Sequence, residues 1–403
     1  MRRVLPEGIS PGRRPPVDRP SASLGWLTFS PTRAVLVAAA SAAAVCSAIA
    51  VGSASHFSAA PIAAAAGHLD LGALARAWAR WDSGWYVSIA TDGYSYSSGA
   101  QSPVAFFPGY PLAIRVLANL GVDLISSGFI VTLCCGILAC WVFARWATTQ
   151  VSAHLAVHAA MLLVLYPFAF YLYGALYSDA LLLALVAGAF LCLEQDGLIP
   201  ATLLGAAATF TRPVAPAVVL GLLVRQLERR RQRGEPIRPV DFLPLLAASG
   251  LGFYMFFLWQ RFGAPFAFLH VQSAPGWDQP PGWHTWLKLT WFHILFPRVA
   301  PLVAIRLVGH AVVALGALAL VPATRRYLGW GYAAYVALAV GLPTLSSKDF
   351  MGLGRYVLSA FPVFLTVALL LRDHPRAFRF CLLASAVILA VLTLAWGAGG
   401  YVA

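Results

Sequence analysis

From Arg33 to Trp396 the chain is a succession of apolar runs separated by short polar loops. A helix of roughly 20 apolar residues is long enough to cross the hydrocarbon core of a bilayer, and several of these runs reach that length. The whole sequence is 60% hydrophobic and 11% charged, with a mean hydropathy of +0.75. A water-soluble fold of 403 residues cannot bury so much apolar surface behind so few charges. The sequence therefore predicts an all-α polytopic membrane protein.

One interrupted run decides the predicted topology. The apolar stretch from Leu198 to Leu227 is broken by Thr211-Arg212-Pro213, and a basic segment follows it. The arginines of that segment are Arg225, Arg229, Arg230, Arg231, Arg233 and Arg238. Two short helices that meet at Arg212-Pro213 return these arginines to the cytoplasm, as the positive-inside rule requires, whereas one long helix would not. This choice predicts about eleven spans.

The two ends of the chain and its domain organisation follow from the same pattern. Residues 1–31 are rich in Pro, Arg and Ser and lack an apolar period, which predicts a disordered cytoplasmic tail. Residues 32–403 are predicted to form a single membrane domain, with the C-terminus outside. The region 56–121 is less apolar and is predicted to be a structured external loop with helices in the membrane interface.

The net charge of +13 comes almost entirely from arginines in short loops. This distribution favours membrane topology and argues against nucleic acid as a partner. The six cysteines lie inside apolar runs without the paired spacing of a metal or disulfide site, so we expect them to be packing residues.

The stretch Trp81-Asp82-Ser83-Gly84-Trp85-Tyr86 stands out within the predicted loop. A carboxylate between two tryptophans at a membrane surface is costly to desolvate, which favours a functional role for Asp82. The predicted topology brings further polar residues to the same face: Asp92, Asp179, Arg212, Trp277, Asp278, His284, Lys348, Asp349 and Arg355. Arginine is well suited to phosphate because its planar fork donates two parallel hydrogen bonds. We therefore expect Arg212 and Arg355, and less directly Lys348, to bind a lipid phosphate.

Several of these motifs together resemble a known family. They are Arg80-Trp81-Asp82-Ser83-Gly84-Trp85-Tyr86, Ile89-Ala90-Thr91-Asp92-Gly93-Tyr94, Ala105-Phe106-Phe107-Pro108-Gly109-Tyr110-Pro111, Tyr177-Ser178-Asp179-Ala180, Thr211-Arg212-Pro213, and Gly354-Arg355-Tyr356 through Ala360-Phe361-Pro362. In this order they resemble the PIG-V mannosyltransferases, in the bacterial branch, over about residues 30–400.

The resemblance implies a GT-C type enzyme that transfers mannose from polyprenyl-phosphate-mannose to a glycan, glycolipid or glycoprotein acceptor. Transfer would occur at the external face of a bacterial plasma membrane, with inversion at the sugar. It also implies that Asp82 is the general base. Trp81, Trp85, Tyr86, Asp92 and Asp179 are further candidates for sugar or acceptor contacts. Eukaryotic members carry a His after the Trp-Asp motif where this chain has Gly84-Trp85, so their acceptor is not carried over.

The chemistry agrees with this expectation. A lipid-phosphate sugar has a good leaving group, so the enzyme needs mainly a carboxylate to take the acceptor proton and cations to stabilise the phosphate. No nucleotide-binding glycine motif or dedicated metal cluster is visible in the sequence, which fits a donor that is not a sugar nucleotide, and we expect no cofactor. An external divalent metal shared by Asp82 and Asp179 stays an open alternative without support in the sequence.

Each residue also has a structural alternative. Asp82 and Asp179 could cap helices, Asp92-Gly93 could form a turn, and the arginines could pair with acids such as Asp349. The tryptophans from Trp277 to Trp291 suit an interfacial belt.

Two other functions are possible for the whole chain: a transporter or flippase for a lipid-linked or glycan substrate, and a non-catalytic membrane subunit. The absence of repeated halves argues against the first.

Overall fold

The structure is a computed structural model that describes residues 31–57, 71–296 and 300–402. The part of the chain that it describes is helical, without strands, which confirms the predicted all-α class. The predicted tail lies outside the described residues, except for Pro31. The helices, in chain order, are α1 (Pro31–Phe57), α2 (Leu71–Trp78), α3 (Ser83–Asp92), α4 (Gly109–Ala118), α5 (Leu124–Gln150), α6 (Ala153–Val164), α7 (Phe170–Tyr173), α8 (Asp179–Glu194), α9 (Leu198–Thr211), α10 (Ala215–Arg233), α11 (Ser249–Phe262), α12 (Ala267–His270), α13 (Trp283–Trp286), α14 (Leu289–Leu295), α15 (Pro301–Ala319), α16 (Val321–Leu328), α17 (Trp330–Ser346), α18 (Leu353–Ser359), α19 (Pro362–Leu371) and α20 (Pro375–Gly397). Short 3₁₀ helices occupy Pro103–Ala105, Pro239–Ala248 and Val271–Ser273.

Five helical segments in the described part are long and apolar enough to cross a membrane. They are Pro31–Phe57, Leu124–Gln150, Pro239–Phe262, Val303–Leu328 and Pro375–Gly397. A sixth is formed if α18 and α19 count as one span, although they are bent by 86° to each other. The chain is therefore a multi-pass membrane protein. The number eleven stays a prediction, because other predicted spans are shorter helices, such as α6 and α9.

The interrupted run is a helical hairpin, as predicted. Helix α9 ends at Thr211, Arg212 is extended (φ −155°, ψ 159°), and α10 begins at Ala215. Ion pairs from the far end of α10 to Glu194 and Asp196, just before α9, show that the two helices run antiparallel. Pro213 lies in the break, and Pro216 occupies the first turn, where its missing N–H leaves no hydrogen bond unmade.

Helix α8 is at the centre of the described unit, which extends from Pro31 to the C-terminus. It packs against α5 and α9, and it is apolar on all sides, as expected of a helix surrounded by protein. Asp179 begins this helix and Glu194 ends it. At 1.5 Å per residue the backbones of these two residues stand about 22 Å apart along the helix. They anchor two separate charged clusters.

The predicted loop contains three short helices, α2, α3 and α4. Trp78, at the end of α2, is fully buried, so this helix is anchored in the protein as well as amphipathic. Residues 58–70 of the predicted loop lie outside the described residues. Helix α4 is fastened to the end of α3, because Arg115 donates hydrogen bonds to the carbonyl oxygens of Ala90 (2.7 Å) and Ile89 (3.1 Å).

Candidate active site

Two carboxylates from distant parts of the chain face each other at one end of α8. Asp82 precedes α3, but its carboxylate makes no capping hydrogen bond, so the capping alternative is wrong for this residue. The Asp82 side chain is 30% exposed, and its backbone N–H donates to the Tyr177 hydroxyl (3.0 Å). Asp179 is buried in the first turn of α8, after the N-cap Ser178, and makes no cap either. Asp82 is therefore the more accessible of the two.

Two arginines complete the cluster. Arg355 lies between the carboxylates, with Nη1 3.8 Å from Asp82 Oδ2 and Nε 3.8 Å from Asp179 Oδ2. Arg212 Nη1 donates to Asp179 Oδ1 at 2.5 Å. Asp349, proposed as an alternative partner for the arginines, instead accepts from the Met351 backbone N–H (2.9 Å). We call Asp82, Asp179, Arg212 and Arg355 the four-residue cluster.

The hydrogen-bonding capacity of this cluster is only partly used. Arg355 Nε and Nη1 and Asp179 Oδ2 are buried without a hydrogen-bond partner among the described residues. Folded proteins rarely leave buried polar atoms of charged groups in this state, because each lost hydrogen bond costs about 1–3 kcal/mol or more. Two guanidinium nitrogens beside a half-exposed carboxylate are therefore available to an anionic ligand.

Tyrosines surround the Arg355 guanidinium. Its central carbon lies 4.8 Å from the ring centre of Tyr177, 5.2 Å from Tyr356 and 5.3 Å from Tyr171. The Arg212 guanidinium carbon lies 4.6 Å from the Tyr356 ring centre. Aromatic faces stabilise a cation without using its N–H donors, so the charge is retained while the donors stay available. Sequence reasoning missed these tyrosines as site residues, although two of them are part of the quoted motifs. Tyr356 directly follows Arg355, and Tyr177 precedes Asp179 by two residues.

The surroundings of Asp82 favour its protonated form. Burial raises the pKa of its carboxyl above the usual value of 3.8, and Asp179 raises it slightly further, whereas Arg355 and Arg212 lower it. A raised carboxyl pKa makes the carboxylate a better proton acceptor. Of the two acids in the cluster, Asp82 thus combines access with basicity.

The aromatic candidates line the approach to Asp82. Tyr86 is buried, and its hydroxyl shares a 3.0 Å hydrogen bond with Ser178, the residue before Asp179. Trp85 stacks on Phe106 with a ring-centre distance of 5.8 Å and an interplanar angle of 17°. Trp81 has φ 53° and is 49% exposed. This left-handed conformation is rare for a bulky residue and marks a strained turn directly before Asp82.

Two predicted site residues make no contact with the four-residue cluster. Asp92 is exposed at the end of α3, before Gly93 (φ 84°), as the turn alternative predicted. Lys348 forms an ion pair with Asp278 at 3.5 Å. A search of the described residues finds no group of three His, Cys, Asp or Glu side chains suited to a metal ion. A metal shared by Asp82 and Asp179 would have to compete with the Arg355 guanidinium for the same space.

An apolar cavity of about 740 Å³ opens near the cluster, between α3, α4, α9 and α11. Pro108 and Phe210 form part of its wall, and Phe210 precedes Arg212 by two residues. Helices α4 and α9 pack closely here. Gly109 lies against Thr211, and a larger residue at position 109 would clash with the Thr211 side chain. Arg115 is the one charged side chain in the lining, and α3 carbonyls occupy its guanidinium. The cavity suits a hydrocarbon chain.

Comparisons with known proteins show that part of the chain is similar to a known family. Residues 53–229 match the family model described as Mannosyltransferase (PIG-V). A search of curated proteins found no match. Among solved structures, the chain is similar to the oligosaccharyltransferase of Archaeoglobus fulgidus in its apo form and to the archaeal oligosaccharyltransferase AglB of the same organism in complex with an inhibitory peptide and a dolichol-phosphate. Each has a TM-score of 0.47 and 11% identity, and the match covers 94% of this chain. The chain spans 57% of the length of these structures.

The matched residues include three members of the four-residue cluster, Asp82, Asp179 and Arg212. The family's sequence pattern and the convergence of polar groups in the structure thus concern the same site. Residues 53–229, somewhat less than half of the chain, are therefore similar to the PIG-V mannosyltransferases.

Proposed function

We propose that this membrane glycosyltransferase moves mannose from polyprenyl-phosphate-mannose to a hydroxyl of a glycan, glycolipid or glycoprotein acceptor at the external membrane face. The observation that carries the proposal is the pair of unpartnered Arg355 nitrogens beside the Asp82 carboxylate. One group can bind a phosphate and the other can take a proton, which are the two functions that this transfer requires.

The proposed reaction is a single displacement. Asp82 accepts the proton of the acceptor hydroxyl while that oxygen attacks C1 of the mannose. The bond between C1 and the phosphate oxygen breaks, and the polyprenyl phosphate leaves with both electrons of that bond. Attack from the face opposite the leaving group inverts the configuration at C1. Arg355 stabilises the departing negative charge through Nε and Nη1, which have no hydrogen-bond partner among the described residues.

Arg212 and Lys348 are proposed as secondary phosphate ligands. Arg212 gives one nitrogen to Asp179, so that acid orients it and leaves its remaining donors for the donor phosphate. Lys348 would first have to leave Asp278, at 3.5 Å. Trp85 and Tyr86, beside Asp82, are the proposed sugar or acceptor contacts, whereas Asp92 is too exposed to contribute much.

The apolar cavity is the proposed place for the donor's isoprenoid chain. Its lining is almost wholly apolar and includes Phe210, which precedes Arg212 by two residues in sequence. A lipid lying there would present its phosphate towards the arginines while its chain stays in an apolar environment. Substituting Phe253, which lines the cavity, with Glu should raise the donor KM and leave Asp82 chemistry intact.

The decisive experiment uses the purified full-length protein in liposomes with polyprenyl-phosphate carrying radiolabelled mannose. Membranes of a source strain that lacks the protein supply the acceptor. We expect label to leave the donor and to enter a new glycoconjugate without any partner protein. Label that crosses the bilayer still attached to its lipid would instead support the flippase alternative, and an inactive protein that is rescued by a partner would support a non-catalytic subunit.

The orientation is tested separately. Cysteines at Gln232, near the basic end of α10, and at Ser273, in the Trp277 loop, are probed with an impermeant thiol reagent in intact cells. The positive-inside rule predicts labelling at Ser273 only. Labelling at Gln232 but not at Ser273 would invert the proposed topology.

A further inference from the structure

The C-terminal segment, Gly397–Val402, lies against the turn that carries Asp82, although more than 300 residues separate them in sequence. Arg80 Nη2 donates to the Gly397 carbonyl oxygen (3.1 Å), and Trp81 Nε1 donates to the Gly400 carbonyl oxygen (3.2 Å). The Trp81 and Tyr401 rings meet edge to face, with centres 5.0 Å apart. Three contacts therefore join this segment to the two residues immediately before Asp82.

The segment is itself held firmly on its other side. Arg306 of α15 donates to the Tyr401 carbonyl oxygen, and its guanidinium carbon lies 5.6 Å from the Tyr401 ring centre. Val402 is buried, and backbone hydrogen bonds from Gly399 and Gly400 to the last turn of α20 fix the chain reversal. The segment can thus transmit the position of α15 and α20 to the Trp81 turn.

The end of α20 also supports the other half of the site. Trp396 is fully buried, and its ring centre lies 5.4 Å from that of Tyr171 and 5.6 Å from that of Tyr177. These two tyrosines face the Arg355 guanidinium. Asp82 and Arg355 are therefore both supported, through their neighbours, by Trp396 and the C-terminal segment that follows it.

The strained backbone of Trp81 explains why such support is needed. A tryptophan at φ 53° stays there only when its surroundings hold it, because the left-handed region is sterically unfavourable for a residue with a Cβ atom. The indole hydrogen bond to Gly400 and the Tyr401 ring supply those contacts. If Trp81 relaxed, the following residue would rotate, and the Asp82 carboxylate would turn away from Arg355.

We propose that the C-terminal segment is a positioning element that holds Trp81 in its left-handed turn and thereby aims Asp82 at the reacting hydroxyl. The inference rests on the proposed function of Asp82. A displacement of about 1 Å in a catalytic group can lower a rate by about 100-fold, so small losses of support have measurable effects.

The test compares Trp81→Phe, which removes the indole donor, and Tyr401→Ala, which removes the ring, with Tyr401→Phe as matched control. Transfer of radiolabelled mannose from polyprenyl-phosphate-mannose is measured on the purified full-length protein, together with folded yield. We expect kcat to fall about 10- to 100-fold in the first two variants, with little change in the donor KM and near-normal kcat in the control.

The same substitutions are then made in the Asp82→Asn background. A segment that acts through Asp82 has no further effect on the residual rate there, because effects on one functional unit are not additive. A merely structural role would lower that residual rate and the folded yield as well. A normal kcat in both Trp81→Phe and Tyr401→Ala would overturn the inference. A normal rate in Asp82→Asn alone would instead overturn the proposed base and leave the contacts of this segment without a catalytic purpose.

Discussion

The two ends of α8 carry charged clusters of similar composition and different completeness. At the Glu194 end, Arg225 donates to Glu194 at 2.6 Å and 3.2 Å, and Tyr332 donates to the same carboxylate at 2.7 Å. Arg229 reaches Asp196 at 2.7 Å. Arg225 Nη1 is the unpartnered nitrogen here, and it still lies 3.6 Å from Glu228. Among the described residues, this cluster therefore leaves one buried polar side-chain atom without a hydrogen-bond partner.

At the Asp179 end, by contrast, the shortest approach of Arg355 to each carboxylate is 3.8 Å, longer than a hydrogen bond. Arg355 retains two unpartnered nitrogens there, and Asp179 one unpartnered oxygen. The Arg225 and Arg355 side chains are both buried, so the difference does not come from solvent access to these two arginines. A charged cluster that only stabilises a fold closes its hydrogen bonds, whereas one that binds a ligand keeps some of them for that ligand.

Asp82→Asn should have the largest effect on transfer. The amide keeps the shape of the side chain but cannot take a proton, so we expect the rate to fall by at least about 100-fold. Because the folded state raises the Asp82 pKa, the ionised carboxylate lowers stability at neutral pH, and the variant should be at least as stable as the parent. Single-turnover transfer with prebound donor measures the effect, with Asp92→Asn as the control that keeps near-normal activity. Near-normal transfer by Asp82→Asn would remove the functional distinction between the two ends.

Arg355→Lys should have the next largest effect. A lysine keeps the positive charge but cannot donate two parallel hydrogen bonds to one phosphate, so we expect donor affinity to fall about tenfold. In Arg355→Ala the donor affinity should fall only slightly further. Binding of radiolabelled donor to the protein in nanodiscs measures it. The matched substitution Arg225→Lys, at the other end of α8, should leave donor binding unchanged. Equal losses from both substitutions would mean that the clusters do not differ in function.

The rate of transfer should depend on pH through the ionisation of Asp82, an effect smaller than those of the two substitutions above. A base must be ionised, so activity falls as the pH drops through the Asp82 pKa, which burial raises above 3.8. The acidic limb of the kcat/KM profile should therefore lie above the range of an ordinary aspartate and should disappear from the residual activity of Asp82→Asn. An unchanged limb in that variant would assign it to another group.

Glu194→Gln should have the smallest effect on transfer and the largest on folding. It leaves Arg225 and Arg229 without their buried carboxylate, and breaking a buried ion pair in this way costs about 3–5 kcal/mol. Thermal unfolding in lipid nanodiscs should show a lower midpoint, while transfer per folded molecule stays normal. A specific loss of transfer at full stability would give this end a functional role too.

The sequence by itself determined the all-α membrane class and the family resemblance, and it indicated Asp82, Asp179, Arg212 and Arg355 as candidate site residues. Apolar runs can be recognised without knowledge of contacts, and a rare carboxylate between tryptophans is visible in the same way. The hairpin at Arg212 was predictable for a similar reason, because the positive-inside rule acts on loop charge alone. The predicted count of spans depends on helix lengths, which the breaks around α6 to α9 shorten locally.

Only the tertiary structure decided which charges meet and what supports them. Asp82, Asp179 and Arg355 come from three distant segments, and no local pattern states that Arg355 lies between both acids while Lys348 turns to Asp278. The tyrosines around Arg355 and the contact of Gly400 with Trp81 are likewise long-range. Their side chains are positioned by helix packing, which sums many weak interactions across the whole fold, whereas sequence patterns report only on neighbours along one helix.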